Sequence, residues 1–408
     1  MMAAQISKMK IAVVGAGPAG SMAASLLAEA GHEVLLFERK GGAWEKPCGG
    51  GVTSKGIQRY PFLLDAMIEK KSIRRIELLD HEGRSIHLPL QAPLYIYSRK
   101  ALNELMLQRA LSRGARLVPA HIRDLEAKDA EVDLNGSPGG PSPHWGLHTP
   151  HGSFEADFVI IANGAKSSLA DNLGHNFTTA DYSSAMGYHL PLREDFIRIQ
   201  FLKQFKGYIW TFPRSDHLSL GICSKLSEHS ADELKSFLHL FARRIYGRGI
   251  PTNAYFYSAL IPTPKLETLH RLKITGPHWA LIGDAAGLVD PITGEGIYFA
   301  IRSAELLVQS LLEGQADLYP ARVREDFGLN HQRAAQLMPT FYTGRFWGGE
   351  FTTRMIQFAR ASRTIHSILT QLFEDQDYIH LKRRLMQQFP RAMMEAALGV
   401  RPLVEKPI

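Results

Sequence analysis

The segment at residues 10–39, KIAVVGAGPAGSMAASLLAEAGHEVLLFER, constrains the fold more than any other stretch of the chain. Residues 11–14 form a short apolar run of the kind that fills a buried parallel strand. Gly15, Gly17 and Gly20 follow as G-x-G-x-x-G, and then comes a helical pattern with Met22, Ala23, Leu26 and Leu27 on its inner face, ending at Gly31. A second strand at 33–37 leads to Glu38 and Arg39. Each part has a physical task. Gly15 permits a tight turn, Gly17 lets backbone approach a pyrophosphate, and Gly20 lets helix and strand pack closely. Pro18 and Ala19 open the helix, whose N-terminus attracts phosphate. Glu38, ~20 residues on, can accept hydrogen bonds from a ribose. Strand, helix, strand and acid in register predict a Rossmann-like dinucleotide site.

The 408-residue chain is long enough for two or three packed units. Its two cysteines, Cys48 and Cys223, cannot build a disulfide framework and suit a reducing cytoplasm. The histidines are scattered, so no metal site is expected. A net charge of +7 is carried by dispersed bases, without a nucleic-acid motif; an anionic membrane surface fits it better. The N-terminal charge and apolar run imitate a signal peptide, but glycines interrupt the run and the dinucleotide pattern continues through it. No apolar run of ~18 residues exists, so no spanning helix is expected.

Residues 278–307, HWALIGDAAGLVDPITGEGIYFAIRSAELL, indicate which dinucleotide. A strand at 280–282 closes at Gly283 and Asp284, whose carboxylate can take a ribityl hydroxyl. Pro291 breaks the chain. Gly294, Glu295, Gly296 and Ile297 then open a helix whose N-terminus carries roughly half a positive charge, suited to an anionic reduced flavin. With both segments present, the sequence resembles the FAD-binding family of group A aromatic hydroxylases and their relatives. That resemblance places Arg99, at the start of a helix read over 97–117 with Leu102, Leu105 and Leu111 inward, near the flavin. It also matches Asp157, Gly164, Ala165 and Ser168 to the family's third motif, with Asn163 where an Asp is usual.

Two further signatures narrow the resemblance to the geranylgeranyl reductase branch: KPCGGGV at 46–52 and GYIWTFP at 207–213. In a strand, Tyr208, Trp210 and Phe212 share one face. Neighbouring alternation in FIRIQFL and LSLGIC predicts an antiparallel sheet. The resemblance implies that this sheet roofs a cavity over the flavin, with Cys48, Gly49 and Gly50 against the isoalloxazine ring. Cys48, Gly49, Gly50, Tyr208 and Trp210 are therefore the expected catalytic residues. The cofactor set is Gly15, Gly17, Pro18, Ala19, Gly20, Glu38, Arg39, Cys48, Gly49, Gly50, Arg99, Asp284, Pro291, Gly294, Glu295, Gly296 and Ile297. The implied reaction is FAD-dependent reduction of carbon–carbon double bonds in a prenyl chain, with hydride from reduced flavin N5. The proton source is open between Cys48, Tyr208 and a bound water. NAD(P)H or ferredoxin would supply electrons. Two alternatives stand: a flavin monooxygenase or halogenase on the same scaffold, and a carrier that uses the cavity alone.

The expected fold class is α/β, α+β when the whole chain is counted. A Rossmann-like FAD unit at 1–60, 96–175 and 268–330 carries an inserted antiparallel-sheet substrate unit at 61–95 and 176–267. A helical C-terminal region at 331–408 follows. NGSPGGPSPHWG at 135–146 reads as a surface turn. RFWGGEFTTRMIQFARASRTIHSILTQLF, at 345–373, reads as amphipathic helix, packing on the FAD unit or lining a lipid entry, and the basic tail fits peripheral contact with the anionic inner membrane surface.

Overall fold

The computed structural model describes residues 8–65, 67–128 and 145–399; most of the turn expected at 135–146 lies outside them. Two large sheets organise the molecule. The first has six strands in the order Thr275–Gly276, Trp279–Leu281, Phe158–Ile161, Lys10–Val14, Glu33–Phe37, Arg116–Val118. All pairs are parallel except the edge pair at 275–281. Beyond Lys10 and Glu33 at their starts, its central strands are apolar and buried because both faces are covered, as parallel sheets require. The helix Pro18–Glu29 follows the first strand directly and packs on the helices Arg99–Ser112 and Ile297–Leu312.

The second sheet has eight strands, in the order Phe256–Pro262, Tyr182–Leu190, Leu218–Lys225, Gly207–Pro213, Ile197–Phe201, Lys70–Leu79, Ser85–Tyr97, Gly51–Val52. The expected wholly antiparallel sheet is corrected at one place: Ile197–Phe201 runs parallel to Lys70–Leu79. Here a strand from residues 70–79 meets one more than a hundred residues later, and no turn chemistry governs that direction. On one side Ile209, Leu220 and Ile222 pack with Leu234, Leu238 and Phe241 of the helix Ala231–Tyr246. On the other, C-terminal helices cover Ile76, Leu78, Leu88 and Phe201 with Met338, Ile356 and Leu369.

Two local expectations change. The helix read over 97–117 ends at Ser112, and 116–118 turns back as a sheet strand. Its buried apolar side chains are Leu102, Met106, Leu107 and Ala110, while Leu105 and Leu111 are only half-buried. The stretch at 345–373 is not one helix either. Arg345–Phe346 and Gly349–Glu350 form a hairpin, and helices Phe351–Ala361 and Arg363–Asp375 are separated by Ser362. Ser362 accepts the Ile365 amide at 3.2 Å, capping the second helix.

Candidate functional site

The glycine loop has the geometry its spacing predicts. A Cβ on Gly20 would lie 1.9 Å from the Gly15 carbonyl oxygen, so no other residue fits that close approach. A Cβ on Gly17 would meet nothing within 4 Å, which leaves open space at the helix N-terminus where a pyrophosphate belongs. Glu38 is buried, and its two carboxylate oxygens accept the amides of Ala16 at 3.1 Å and Lys40 at 3.0 Å. It shapes the loop as well as offering remaining lone pairs to a ribose. Arg39 beside it is exposed.

Folding brings the distant segments to this loop. A Cβ on Gly283 would lie 3.0 Å from that of Ala19, and one on Gly296 would lie 3.2 Å from Asp284 Oδ1. Asp284 accepts Lys46 Nζ at 2.7 Å. Burial would raise its carboxyl, but Lys46 and then Arg99 hold it below the usual range. Arg99 is itself buried; Nη2 donates to Asn103 at 3.3 Å, and Nε has no partner among the described residues. An open phosphate cradle, a buried acid at the ribose position and an unpaired guanidinium N–H together fit FAD. Beyond Pro291, Gly294 takes φ +72°, and Glu295 accepts the Thr53 hydroxyl at 3.1 Å. Burial raises the Glu295 carboxyl. Ile297 begins the following helix, buried.

The two late signatures meet each other. A Cβ on Gly49 would lie 3.1 Å from the Phe212 ring, and one on Gly50, at φ +76°, would lie 2.3 Å from the Tyr97 carbonyl oxygen and 2.5 Å from Arg214 Nη1. The Cβ side of this loop thus faces the aromatic strand Gly207–Pro213 and its flank. Arg214 Nη2 donates to the Cys48 carbonyl at 2.7 Å. The half-buried Cys48 accepts the Gly50 amide on Sγ at 3.3 Å. Burial would raise its thiol, but Arg99, the Gly50 amide and Lys46 bring it below its ordinary value.

On the aromatic strand, Tyr208 donates its hydroxyl to the Thr293 carbonyl, tying the sheet to the 290–296 loop. Burial raises that phenol well above its ordinary range. Trp210 is buried and lies across Gly221 of the adjacent strand, where a Cβ would sit 2.2 Å from the indole. Tyr208, Trp210 and Phe212 pack with Cys223, Tyr257 and Ile261.

Several residues at this junction escaped sequence reading. Lys46 and Arg214 flank the two signatures directly, so proximity to the motifs was the available signal. Asp290 is fully buried. Its Oδ1 accepts the amides of Ile292 at 2.9 Å and Thr293 at 2.7 Å, and the Tyr378 hydroxyl at 3.3 Å. Tyr342 donates to the Ile292 carbonyl at 2.6 Å. Nothing local in the sequence links Tyr342 or Tyr378 to this loop. Among the described residues no group of three or more His, Cys, Asp or Glu could hold a metal, and no helix is long and apolar enough to cross a membrane.

A Rossmann-like FAD cradle facing a buried aromatic sheet defines a flavin-dependent oxidoreductase. The model of the FAD binding domain matches residues 8–224, and the chain belongs to that family. Within it the sequence is similar to geranylgeranyl diphosphate reductases. The chloroplastic protein of Oryza sativa subsp. japonica is 27% identical over 338 residues, covering 76% of this chain and 68% of that one. The Synechocystis protein is 28% identical over 326 residues, covering 74% and 75%. A menaquinone reductase of Mycobacterium tuberculosis is 27% identical over 406 residues, covering 90% and 93%. The fold matches that of a geranylgeranyl bacteriochlorophyll reductase-like protein from Thermoplasma acidophilum, with TM-score 0.73 and 21% identity over 96% of this chain and 99% of that one. It also matches a flavin-dependent brominase, with TM-score 0.66 and 16% identity over 94% and 100%.

Proposed function

We propose that the protein reduces carbon–carbon double bonds in the prenyl chain of a hydrophobic substrate. The observation that carries this reading is the packing of the Cys48–Gly51 loop on Phe212 and Arg214, which sets an apolar aromatic wall beside the FAD cradle. The names of the relatives support the same class of substrate. Bound FAD, once reduced, supplies the hydride equivalent. The chain's own part is to hold an alkene against that cradle and exclude water, which buried Trp210 and half-buried Tyr208 and Phe212 suit. Cys48 serves as the proton-holding group in this reading; Arg99 and the Gly50 amide, which favour its thiolate and so ease proton release from Sγ, support that role. Tyr208 is a positioning residue in this scheme: its hydroxyl proton is committed to the Thr293 carbonyl. An outside donor, NAD(P)H or ferredoxin, returns the electrons.

The deciding experiment is mass spectrometry of lipid extracts after expressing the chain beside a geranylgeranyl-lipid pathway. Mass gains in steps of one dihydrogen per double bond are expected. The fold shared with the brominase supports a second reading, oxygen-dependent monooxygenation or halogenation. Turnover that requires dioxygen and leaves the prenyl mass unchanged would favour it.

A further inference from the structure

The C-terminal hairpin and last helix carry an exposed surface that neither FAD binding nor the reaction uses. Trp347 sits at the hairpin tip, 58% exposed, with φ +46°, a left-handed backbone that bulky side chains rarely adopt. It stacks on Phe346 at 5.6 Å between centroids and meets Phe389 of the last helix at 6.4 Å. Phe346, Trp347 and Phe389 are all exposed, so the three rings form one continuous apolar area. The helix Leu381–Ala397 extends it: Met386, Phe389 and Met393 follow at i, i+3 and i+7, each exposed, with Met394 beside them.

The charged side chains that line the groove beside this area are basic. Lys382 and Arg383 lie a turn from Met386 and, with Arg333, line a groove that also exposes Leu329 and Ile379. Arg345 flanks the hairpin tip, whereas Arg391 of the helix is paired with Glu395 at 3.2 Å. The one acid on the helix, Glu395, is buried and turned inward, accepting the Ser362 hydroxyl at 2.7 Å and the Thr364 amide at 2.9 Å. Aromatic and methionine side chains flanked by exposed bases are the composition of a helix that lies in a bilayer interface.

We propose that this face docks the protein on an anionic lipid bilayer, with Trp347, Phe389, Met386 and Met393 entering the interface and Lys382, Arg383 and Arg345 meeting acidic headgroups. The positive charge selects the acidic surface. The groove beside the helix adds basic side chains to the same contact. The inference does not rest on the prenyl reading, since no substrate enters the argument.

The test is flotation of the FAD-loaded protein with vesicles of phosphatidylcholine containing phosphatidylglycerol, against vesicles of phosphatidylcholine alone. Binding should be on the order of tenfold stronger to the acidic vesicles and should weaken with added salt. Two variant pairs separate the contributions. W347N with F389Q removes apolar surface while Asn tolerates the left-handed turn, and K382E with R383E reverses exposed charge. Each pair should weaken binding by roughly tenfold or more, with flavin absorbance and melting temperature unchanged. Three results would overturn the proposal. One is no flotation by the parent protein. Another is flotation that neither pair alters. The third is a parent dimer that W347N with F389Q dissociates in light scattering while vesicle binding persists, which makes the face a contact between copies. Lipid reduction in cells is read independently of each of these results, so failure here and failure of the reductase reading are separate outcomes.

Discussion

Arg214 holds the glycine loop from behind: Nη2 donates to the Cys48 carbonyl at 2.7 Å, and Nη1 occupies the space a Gly50 side chain would need. The arginine follows the aromatic strand directly and is itself buried. Two signatures separated by some 160 residues of sequence are thereby one structural unit.

Breaking that unit should impair turnover before it impairs folding. Arg214→Lys keeps the charge but loses the forked donor, at a cost of about 1.5–3 kcal/mol for a charged hydrogen bond. Steady-state assay should show kcat reduced by ~10-fold or more with FAD still bound. Gly50→Val is harsher. It places a branched side chain at φ +76° against the Tyr97 carbonyl, so melting temperature and turnover should both fall. Normal rates in both variants would remove the loop from the site.

Glu38→Ala should weaken FAD retention by about 1.5–3 kcal/mol, read by fluorescence titration of the apoprotein. Because Glu38 also accepts the Ala16 and Lys40 amides, Glu38→Gln should recover part of the loss by keeping one acceptor. Equal affinity in parent and alanine variants would take Glu38 out of the cofactor site.

Trp210 should govern which chains are reduced. Trp210→Ala opens a buried space over Gly221 and should cost ~3–5 kcal/mol, so only folded, FAD-loaded protein is informative. The number or position of reduced bonds in the product, read by mass spectrometry, should shift. A parent-like product pattern from both Trp210→Ala and Trp210→Phe would make the residue plain sheet core.

Stability should fall in mild acid, partly through His331. It is buried against Phe299, at 4.3 Å between centroids, and Phe327, and burial lowers its pKa to about 3. Between the ordinary value of 6.5 and that value the unfolded chain takes up a proton that the native chain refuses. Its contribution is therefore complete above pH 6.5 and lost as pH falls towards 3, by up to ~4 kcal/mol. His331→Phe should flatten the melting-temperature profile across that window. An unchanged slope would assign acid lability elsewhere.

Asp290 should act in the opposite sense. Burial raises its carboxyl above the ordinary value, so the native state holds a proton that the unfolded state releases more readily. Stability is then lost as pH rises through the native pKa, because a buried charge forms. Asp290→Asn does not titrate and can still accept the amides of Ile292 and Thr293. Its melting temperature relative to the parent should rise by ~1–3 °C as pH is raised from the ordinary carboxyl value of 3.8 towards neutrality. A pH-independent difference would mean that Asp290 keeps one protonation state throughout.

The sequence by itself determined the dinucleotide half. Strand, glycine turn, helix and acid lie within thirty residues, and period, turn chemistry and capping act over that range. Face alternation of Tyr208, Trp210 and Phe212 was legible for the same local reason. Tertiary structure decided what those faces touch. The parallel pairing of Ile197–Phe201 with Lys70–Leu79, the seat of Gly49 on Phe212, the Lys46–Asp284 ion pair and the Tyr378 bond to Asp290 all join residues far apart in the chain. Such contacts form because burying apolar faces brings distant segments together and leaves their polar groups to find partners there. No local pattern encodes which partner that will be.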